Sequence, residues 1–212
     1  MSIADGNLPA SSPLRRNSHA RLHDLLEELR EQPEAEAKIT ATIEREFGEN
    51  RAILVLDMSG FSRCTQQNGI VCFLLMIHEM KRLAVPAVSE AGGILVKAEA
   101  DNLYCMFEDV DAAVGAAREI LRRLGEANAG TAQDRHLGAA IGIGFGHVLN
   151  VDERDLFGHE VNLACKLGED IAQEGEILLT AAANERAQGF GLVTDHQETS
   201  ISRVDFSYYR IT

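Results

Sequence analysis

The order of apolar patterns between residues 52 and 147 constrains the fold of this chain more than any other feature of its sequence. Short apolar or alternating runs indicate strands, and apolar residues at intervals of three and four indicate helices. In chain order these patterns predict a strand at 52–57, a helix at about 65–90, strands at 93–99 and 102–108, a helix at about 109–127 and a strand at 138–147. The order is βαββαβ, so we expect an α/β (α+β) domain with a ferredoxin-like core.

The segments on either side of this core predict short additions and no second domain. After the core we expect a short strand near Asp155, a helix at about 159–172, a strand at 176–180, a short helix and a closing pair of strands. Before the core, apolar stripes at 22–29 and 39–47 flank Pro33 and predict two short helices, packed on the main domain or on a partner chain. We therefore predict a flexible N-terminus at 1–18, an N-terminal helical segment at 19–48 and one main domain at 49–212.

The composition excludes several classes of protein. The 212 residues carry a formal net charge of −13. A strongly acidic chain repels nucleic acid and anionic lipid, so we expect no nucleic-acid partner. No apolar run reaches the roughly 20 residues that a membrane span requires, and the first residues lack the apolar segment of a signal peptide. These features favour a cytoplasmic protein without a membrane span.

The cysteines predict no covalent framework. The four residues are Cys64, Cys72, Cys105 and Cys165. They are widely spaced and lie mostly within apolar patterns, which fits neither a disulfide scaffold nor a zinc site. We expect reduced and mostly buried thiols.

Two aspartates stand where strands of the predicted core end. The apolar run 53–56 ends in Asp57, and Asp101 lies at the turn of the predicted hairpin 93–108. Because the first strand of a βαββαβ sheet lies beside this hairpin, the two carboxylates could meet at one edge of the sheet. One interpretation is a helix N-cap at Asp57 and a turn residue at Asp101. The other is a site for a divalent cation such as Mg²⁺, which binds one or two carboxylates together with phosphate oxygens.

The segment after Asp57 favours the cation site. Its sequence MSGFSRCT predicts a turn of small residues that leads into a helix, where free backbone N–H groups could hold a triphosphate. The chain has no GxxxxGK[ST] loop, so it is not a P-loop protein. The alternating glycines of GIGFG at 142–146 lie in a strand pattern, which indicates close packing on one face of the sheet and not a dinucleotide site.

Three segments together resemble the signature segments of class III nucleotidyl cyclases, the adenylate and guanylate cyclase catalytic domains. They are DMSGF at 57–61, KAEAD at 97–101 and DLFGHEVNLACK at 155–166, within a match that covers about residues 50–182. The resemblance implies a lyase that converts a nucleoside triphosphate to a 3′,5′-cyclic nucleotide and pyrophosphate. It also implies two Mg²⁺ or Mn²⁺ ions per active site, and a homodimer in which two head-to-tail domains form each site at their interface.

The same resemblance assigns the metal and catalytic residues. Asp57 and Asp101 are similar to the two metal aspartates, with the Met58 carbonyl as a further candidate ligand. Asn162 resembles the residue that orients the ribose. Lys166 stands where the family usually has an arginine that stabilises charge on the α-phosphoryl group, and this departure predicts a slower enzyme because lysine lacks the two-pronged geometry of arginine. Ala100 stands where the family often has glycine, and it is strained if that turn requires a positive φ.

The resemblance also assigns the residues that contact the nucleotide. Lys97 and Asp155 resemble the base-reading pair, and a donor beside an acceptor matches adenine N1 and N6 and opposes guanine. Cytosine presents the same two groups, so these residues leave ATP and CTP open, whereas uracil fits less well. Phe61 and Ser62, in the turn after Asp57, and Arg203, in the last strand pair, are further candidate nucleotide contacts.

These features predict an adenylate cyclase and leave two alternatives open. One is a pyrimidine cyclase that uses CTP or UTP, as in bacterial antiphage signalling. The other is a catalytically impaired, cyclase-like dimer that binds a nucleotide, which the departures at Ala100 and Lys166 suggest.

Overall fold

The strands and helices of the chain follow the predicted order. The computed structural model describes residues 17–60, 65–66, 68–187, 191–201 and 204–212. The elements are α1 (His19–Glu31), α2 (Glu36–Phe47), β1 (Gly48–Ser59), α3 (Ile70–Glu90), β2 (Ile94–Glu99), β3 (Asn102–Phe107), α4 (Val110–Asn128), β4 (Gly138–Val151), β5 (Asp155–Phe157), α5 (His159–Cys165), β6 (Ile177–Thr180), α6 (Ala181–Ala187), β7 (Thr194–Ile201) and β8 (Val204–Ile211). A π-helical segment, Lys166–Ile171, continues α5. Within the described ranges no helix is long and apolar enough to cross a bilayer.

The sheet confirms the ferredoxin-like core. Its strand order is β2-β3-β1-β4-β6-β8-β7, and β5 pairs with β4 outside this path. The first four strands of this order are antiparallel neighbours, and β1 lies in the centre between β3 and β4. The predicted additions after the core extend the sheet, because β6 pairs with β4 in parallel and then with β8.

The alternation of side chains along β1 decides which face of the sheet carries the polar groups. Leu54 and Leu56 belong to the large core that α3 and α4 cover. Ile53 and Val55 point to the opposite face and pack on α5. Because successive side chains of a strand alternate between faces, Asp57 lies on the α5 face.

Glycines in β4 allow α5 to lie directly on the sheet. A Cβ atom on Gly142 would stand 2.2 Å from the carbonyl oxygen of Ala164, and one on Gly144 would stand 2.6 Å from that of Glu160. Real Cβ atoms do not approach a carbonyl oxygen this closely, so only glycine fits at both positions. This confirms close packing, and not a dinucleotide fingerprint, as the reason for the alternating glycines.

Two helix boundaries differ from the predictions. The helix expected from residue 65 is interrupted at Gly69, whose φ of +79° is outside the helical region, and α3 begins at Ile70. The helix expected over 159–172 widens at Lys166 into a π-helical turn, which ends with a bond from the N–H of Ala172 to the carbonyl of Leu167. Both differences are local, and the apolar residues continue at helical spacing on either side of them. The apolar pattern in the sequence therefore does not reveal the break or the π-helical turn.

Among the described cysteines, which do not include Cys64, Cys72 departs from the prediction. Cys105 and Cys165 are free, as expected. Cys72 is disulfide-bonded, so the predicted reduced state is wrong there. Its side chain lies half-buried in the first turn of α3, where a thiol is open to pairing, whereas Cys105 is fully enclosed in the core.

Candidate active site

Cross-strand pairing gathers the polar side chains on one face. Asp57 of β1 is paired with Asn102 of β3, and Val55 is paired with Tyr104. Tyr104 is in turn paired with Lys97 of β2. Paired residues of neighbouring strands project to the same side of a sheet, so these polar groups share the face on which α5 packs.

The two aspartates of the proposed cation site lie close enough to repel each other. Burial, together with the negative charges of Asp101 and Glu169, raises the pKa of Asp57 from an ordinary value of 3.8 to about 6. A carboxyl group that is destabilised in its charged form by neighbouring carboxylates is a site where a divalent cation would relieve the repulsion. Carboxylate oxygens are ligands of the type that Mg²⁺ and Mn²⁺ prefer, although the described residues contain no cluster of three or more His, Cys, Asp or Glu side chains placed to hold one ion. The neighbouring Met58 side chain is fully buried in the core on the opposite face, so only its backbone carbonyl is a candidate ligand.

The turn that carries Asp101 requires an unfavourable backbone conformation of Ala100. The φ angle of Ala100 is +49°, in the left-handed region that favours glycine. We expected Ala100 to be strained if this turn required a positive φ, and it does. The strain lies immediately before one of the two carboxylates.

Lys97 and Asp155, predicted from separate segments, form an ion pair. Lys97 Nζ lies 3.2 Å from Asp155 Oδ1, 3.5 Å from Glu99 Oε1 and 5.0 Å from the centre of the Tyr104 ring. Burial lowers the pKa of Lys97, but the hydrogen bond and charge of Asp155 more than offset this effect and the pKa is raised. A cationic donor and an anionic acceptor thus stand side by side. Recognition of a base requires this arrangement when the base carries an acceptor next to an amine.

A cavity of about 200 Å³ opens beside this pair. Its lining residues come from β1, β2, β3, β5 and α5, and they are Ile53, Val96, Lys97, Tyr104, Leu156, Val161, Asn162 and Cys165. Apolar walls with a few polar groups are typical of small-molecule sites. Asn162 faces this cavity, and Lys166 lies one turn further on, half-buried at the start of the π-helical segment.

No sequence pattern indicated a role for Glu169, which hydrogen-bonds two polar residues of this face. Its Oε1 accepts hydrogen bonds from Asn102 Nδ2 at 3.1 Å and from the Tyr104 hydroxyl at 3.0 Å. Burial, together with Glu169, raises the pKa of Tyr104 to about 12, so the hydroxyl stays protonated as the donor. The Glu169 carboxylate therefore holds both Asn102, which follows Asp101, and Tyr104, whose ring lies under Lys97.

Cys165 lines the cavity, and no sequence pattern indicated a functional role for it. Burial, together with the charge of Glu169, raises the pKa of its thiol to about 11. The thiol is therefore neutral near pH 7 and presents a weak S–H donor to the cavity.

The structure does not describe three of the predicted nucleotide contacts. Phe61, Ser62 and Arg203 lie outside the described residues. Their assignment stays a prediction.

The comparisons with known proteins lead to the same group of enzymes. The chain is 26% identical over 160 residues to "Putative adenylate cyclase 3" of Rhizobium meliloti (strain 1021), a match that covers 76% of this chain and 26% of that protein. The chain thus spans about a quarter of the length of this relative. No family model matches the sequence.

Solved structures share the fold. The adenylate/guanylate cyclase/hydrolase of Silicibacter pomeroyi is 26% identical, with a TM-score of 0.67 over 77% of this chain and 96% of that one. The guanylyl cyclase Cya2 has a TM-score of 0.66 at 19% identity, over 77% of this chain and 92% of that one, a likeness of fold alone. By its sequence segments and its fold, the chain is similar to the adenylate and guanylate cyclase catalytic domains, the class III nucleotidyl cyclases.

Proposed function

We propose that the chain is a nucleotidyl cyclase that converts ATP to 3′,5′-cyclic AMP and pyrophosphate at the interface of a homodimer. One observation carries this proposal more than any other. Asp57 lies on the face of the sheet that also carries the Lys97–Asp155 ion pair, 3.2 Å apart, and the negative charge of Asp101 acts on Asp57. The two carboxylates suit a triphosphate with its cations and the ion pair suits a base, and in the dimer one chain would supply the first group and its partner the second for each nucleotide.

The residues of the chain have separate tasks in this reaction. The ribose 3′-oxygen attacks the α-phosphorus, the bond from that phosphorus to the bridging oxygen breaks, and pyrophosphate leaves. Asn162 donates to the ribose and holds the attacking oxygen in line, and Lys166 places positive charge beside the α-phosphoryl oxygens. Asp57 and Asp101, with the Met58 carbonyl, would hold two divalent cations. When bound, these cations lower the pKa of the 3′-hydroxyl and neutralise charge on the leaving group.

The ion pair between Lys97 and Asp155 favours adenine over guanine. Lys97 donates to the N1 acceptor and Asp155 accepts from the N6 amine, whereas guanine presents the opposite polarity at these positions. Cytosine presents the same groups as adenine, at N3 and N4. A cyclase that uses CTP is therefore the second candidate, favoured by the same pair.

The proposal is tested by incubating the purified protein with Mn²⁺ and each of ATP, GTP, CTP and UTP, and identifying the products by mass spectrometry. We expect cyclic AMP as the main product, and cyclic CMP if the protein is a pyrimidine cyclase. Asp57→Ala should abolish product formation with every substrate while the protein stays folded. Full activity of that variant would mean that the cation site is misplaced, and no cyclic product from any substrate would refute cyclase activity.

Base selection is tested in the same assay with Lys97→Ala and a control. We expect Lys97→Ala to change the order of preference among the four substrates much more than the dependence on Mn²⁺. Lys38→Ala, an exposed lysine of α2, should leave both unchanged. An equal loss with all four substrates would refute the assigned role of Lys97.

A further inference from the structure

The N-terminal helices pack on the strand pair that carries Asp155. Leu25 of α1 and Ile39, Ile43 and Phe47 of α2 form a separate small core that closes on Val151, the last residue of β4. Val151 is paired with Asp155 in the short ladder between β4 and β5. The helical segment is thus built onto the end of the sheet next to the base-reading acceptor.

Hydrogen bonds fix the beginning of α1 to the turn between β4 and β5. The carbonyl of Asn17 accepts from the N–H of Asp152 at 3.0 Å, and Asn17 Nδ2 donates to the carbonyl of Asn150 at 3.2 Å. Asp152 and Glu153 have φ angles of +58° and +57°, and the Glu153 N–H is bound by Asn150 Oδ1 at 3.0 Å. This turn leads into β5, and Asn17, two residues before α1, holds two of its backbone groups.

The first residue of α1 reaches the Asp155 carboxylate itself. His19 Nε2 lies 3.7 Å from Asp155 Oδ2, while Lys97 Nζ lies 3.2 Å from Oδ1. The two oxygens are therefore approached by different nitrogens from different elements. A base that entered between Lys97 and Asp155 would take Lys97 as its donor, and His19 would then be the nitrogen beside the carboxylate.

Resting on the proposed function, we propose that α1 completes the base site and that His19 is a specificity-determining residue. His19 lies beside Oδ2, so that the other oxygen of Asp155 is presented to the exocyclic amine of adenine or cytosine. Without this contact the carboxylate rotates more freely, and a base without that amine is excluded less strictly. The effect falls on the choice of base and not on the chemical step, because His19 belongs to the base end of the site.

The test compares binding of α,β-methylene ATP and α,β-methylene GTP, which the reaction does not cleave, by calorimetry. We expect His19→Ala to lower the ratio of the two affinities about threefold or more, the scale of one partly exposed polar contact. His19→Gln, which keeps a donor, should restore part of the ratio. His23→Ala, one turn further along the same face of α1, is the matched control and should leave the ratio unchanged.

A second measurement tests the contact in the nucleotide-free protein. In proteins with ¹³C-labelled histidine rings, we expect Asp155→Asn to shift the His19 resonance and leave that of His23 in place. An unmoved His19 resonance, or an unchanged affinity ratio in His19→Ala although the wild-type protein binds nucleotide, would overturn the inference alone. Failure of the wild-type protein to bind either nucleotide would overturn the proposed function together with it.

Discussion

At the scale of single residues, Ala100 and Asp57 are the positions where forming the proposed cation site lowers the stability of the folded chain. Ala100 holds a left-handed backbone conformation before Asp101. Asp57 is partly buried beside two other carboxylates. Both features disfavour the folded chain locally, which is typical of functional sites.

Replacing Ala100 by glycine should stabilise the protein. Glycine adopts a φ of +49° without steric conflict, so we expect Ala100→Gly to raise the free energy of unfolding by about 1 kcal/mol. Ala98→Gly, in β2 of the same hairpin, is the control and should lower it by roughly 0.5–1 kcal/mol, because glycine loses more entropy in a strand. Urea unfolding at one pH measures both. Equal destabilisation by the two substitutions would mean that the turn is not strained.

The raised pKa of Asp57 predicts a pH dependence of stability. The folded chain keeps the Asp57 proton up to a pH of about 6, whereas the unfolded chain loses it near 3.8. Stability from this group is therefore lost as the pH rises between these values, and the penalty is complete above them. We expect Asp57→Asn to remove this loss, so that its Tm without divalent cations exceeds that of the wild-type protein at pH 7. Asp24→Asn, on the exposed surface of α1, should keep the wild-type profile.

The same measurement with Mn²⁺ links this penalty to the cation. Mn²⁺ at pH 7 should raise the Tm of the wild-type protein, since a bound cation stabilises the state that binds it. It should raise the Tm of Asp57→Asn much less. An equal rise in both proteins would indicate binding elsewhere.

At the scale of elements, the packing of α5 on β4 decides where Asn162 lies. No side chain separates the helix from the strand at Gly142 and Gly144, and the π-helical turn lets Glu169 reach Asn102 and Tyr104. The helix that carries the proposed catalytic groups is thus positioned by backbone contact. Backbone contact leaves little room for adjustment.

A methyl group at Gly142 should displace α5. The new Cβ would stand 2.2 Å from the Ala164 carbonyl oxygen, so we expect Gly142→Ala to lower the free energy of unfolding by about 2 kcal/mol or more and to reduce cyclase activity. Gly115→Ala in α4, where a Cβ meets nothing within 4 Å, should instead stabilise the protein by about 0.4–1 kcal/mol. Thermal unfolding and the cyclase assay check both variants. Wild-type stability of Gly142→Ala would contradict this account of the helix position.

At the scale of the whole molecule, the proposal requires two copies of the chain for each site. Asp57 and the base-reading pair lie on one polar face of the sheet. In the arrangement that the family resemblance implies, a nucleotide lies between the cation end of one chain and the base end of its partner. A closed twofold dimer then contains two equivalent sites.

Mixing two inactive variants should restore activity if this arrangement is correct. Asp57→Asn and Asn162→Ala damage different ends, so a mixed dimer has one intact site. With random exchange of chains we expect about a quarter of the wild-type activity. Asp57→Asn mixed with Asp101→Asn damages the same end in both chains and should recover none. No recovery in either mixture, with chain exchange verified, would place each site within one chain.

Some contacts of the proposed site could be predicted from the sequence and others could not. The run that ends at Asp57 and the hairpin turn at Asp101 predicted their meeting, because strand patterns and the βαββαβ order fix which strands are neighbours. The approach of Lys97 to Asp155 was expected from the family resemblance and is present as an ion pair. The contact of Glu169 with Tyr104, the disulfide at Cys72 and the approach of His19 to Asp155 were not predicted.

The sequence by itself determined the order of the elements, the face on which each strand residue lies and the chemical character of the proposed site. These properties follow from local periodicity, since side chains alternate along a strand and recur every 3.6 residues along a helix. Only the tertiary structure decided that α1 docks beside Asp155 and that Glu169 hydrogen-bonds Asn102 and Tyr104. Those contacts depend on how helices pack over a finished sheet, and the polar side chains that make them, Glu169 with Tyr104 and His19 with Asp155, are far apart in the chain, so no local pattern marks them.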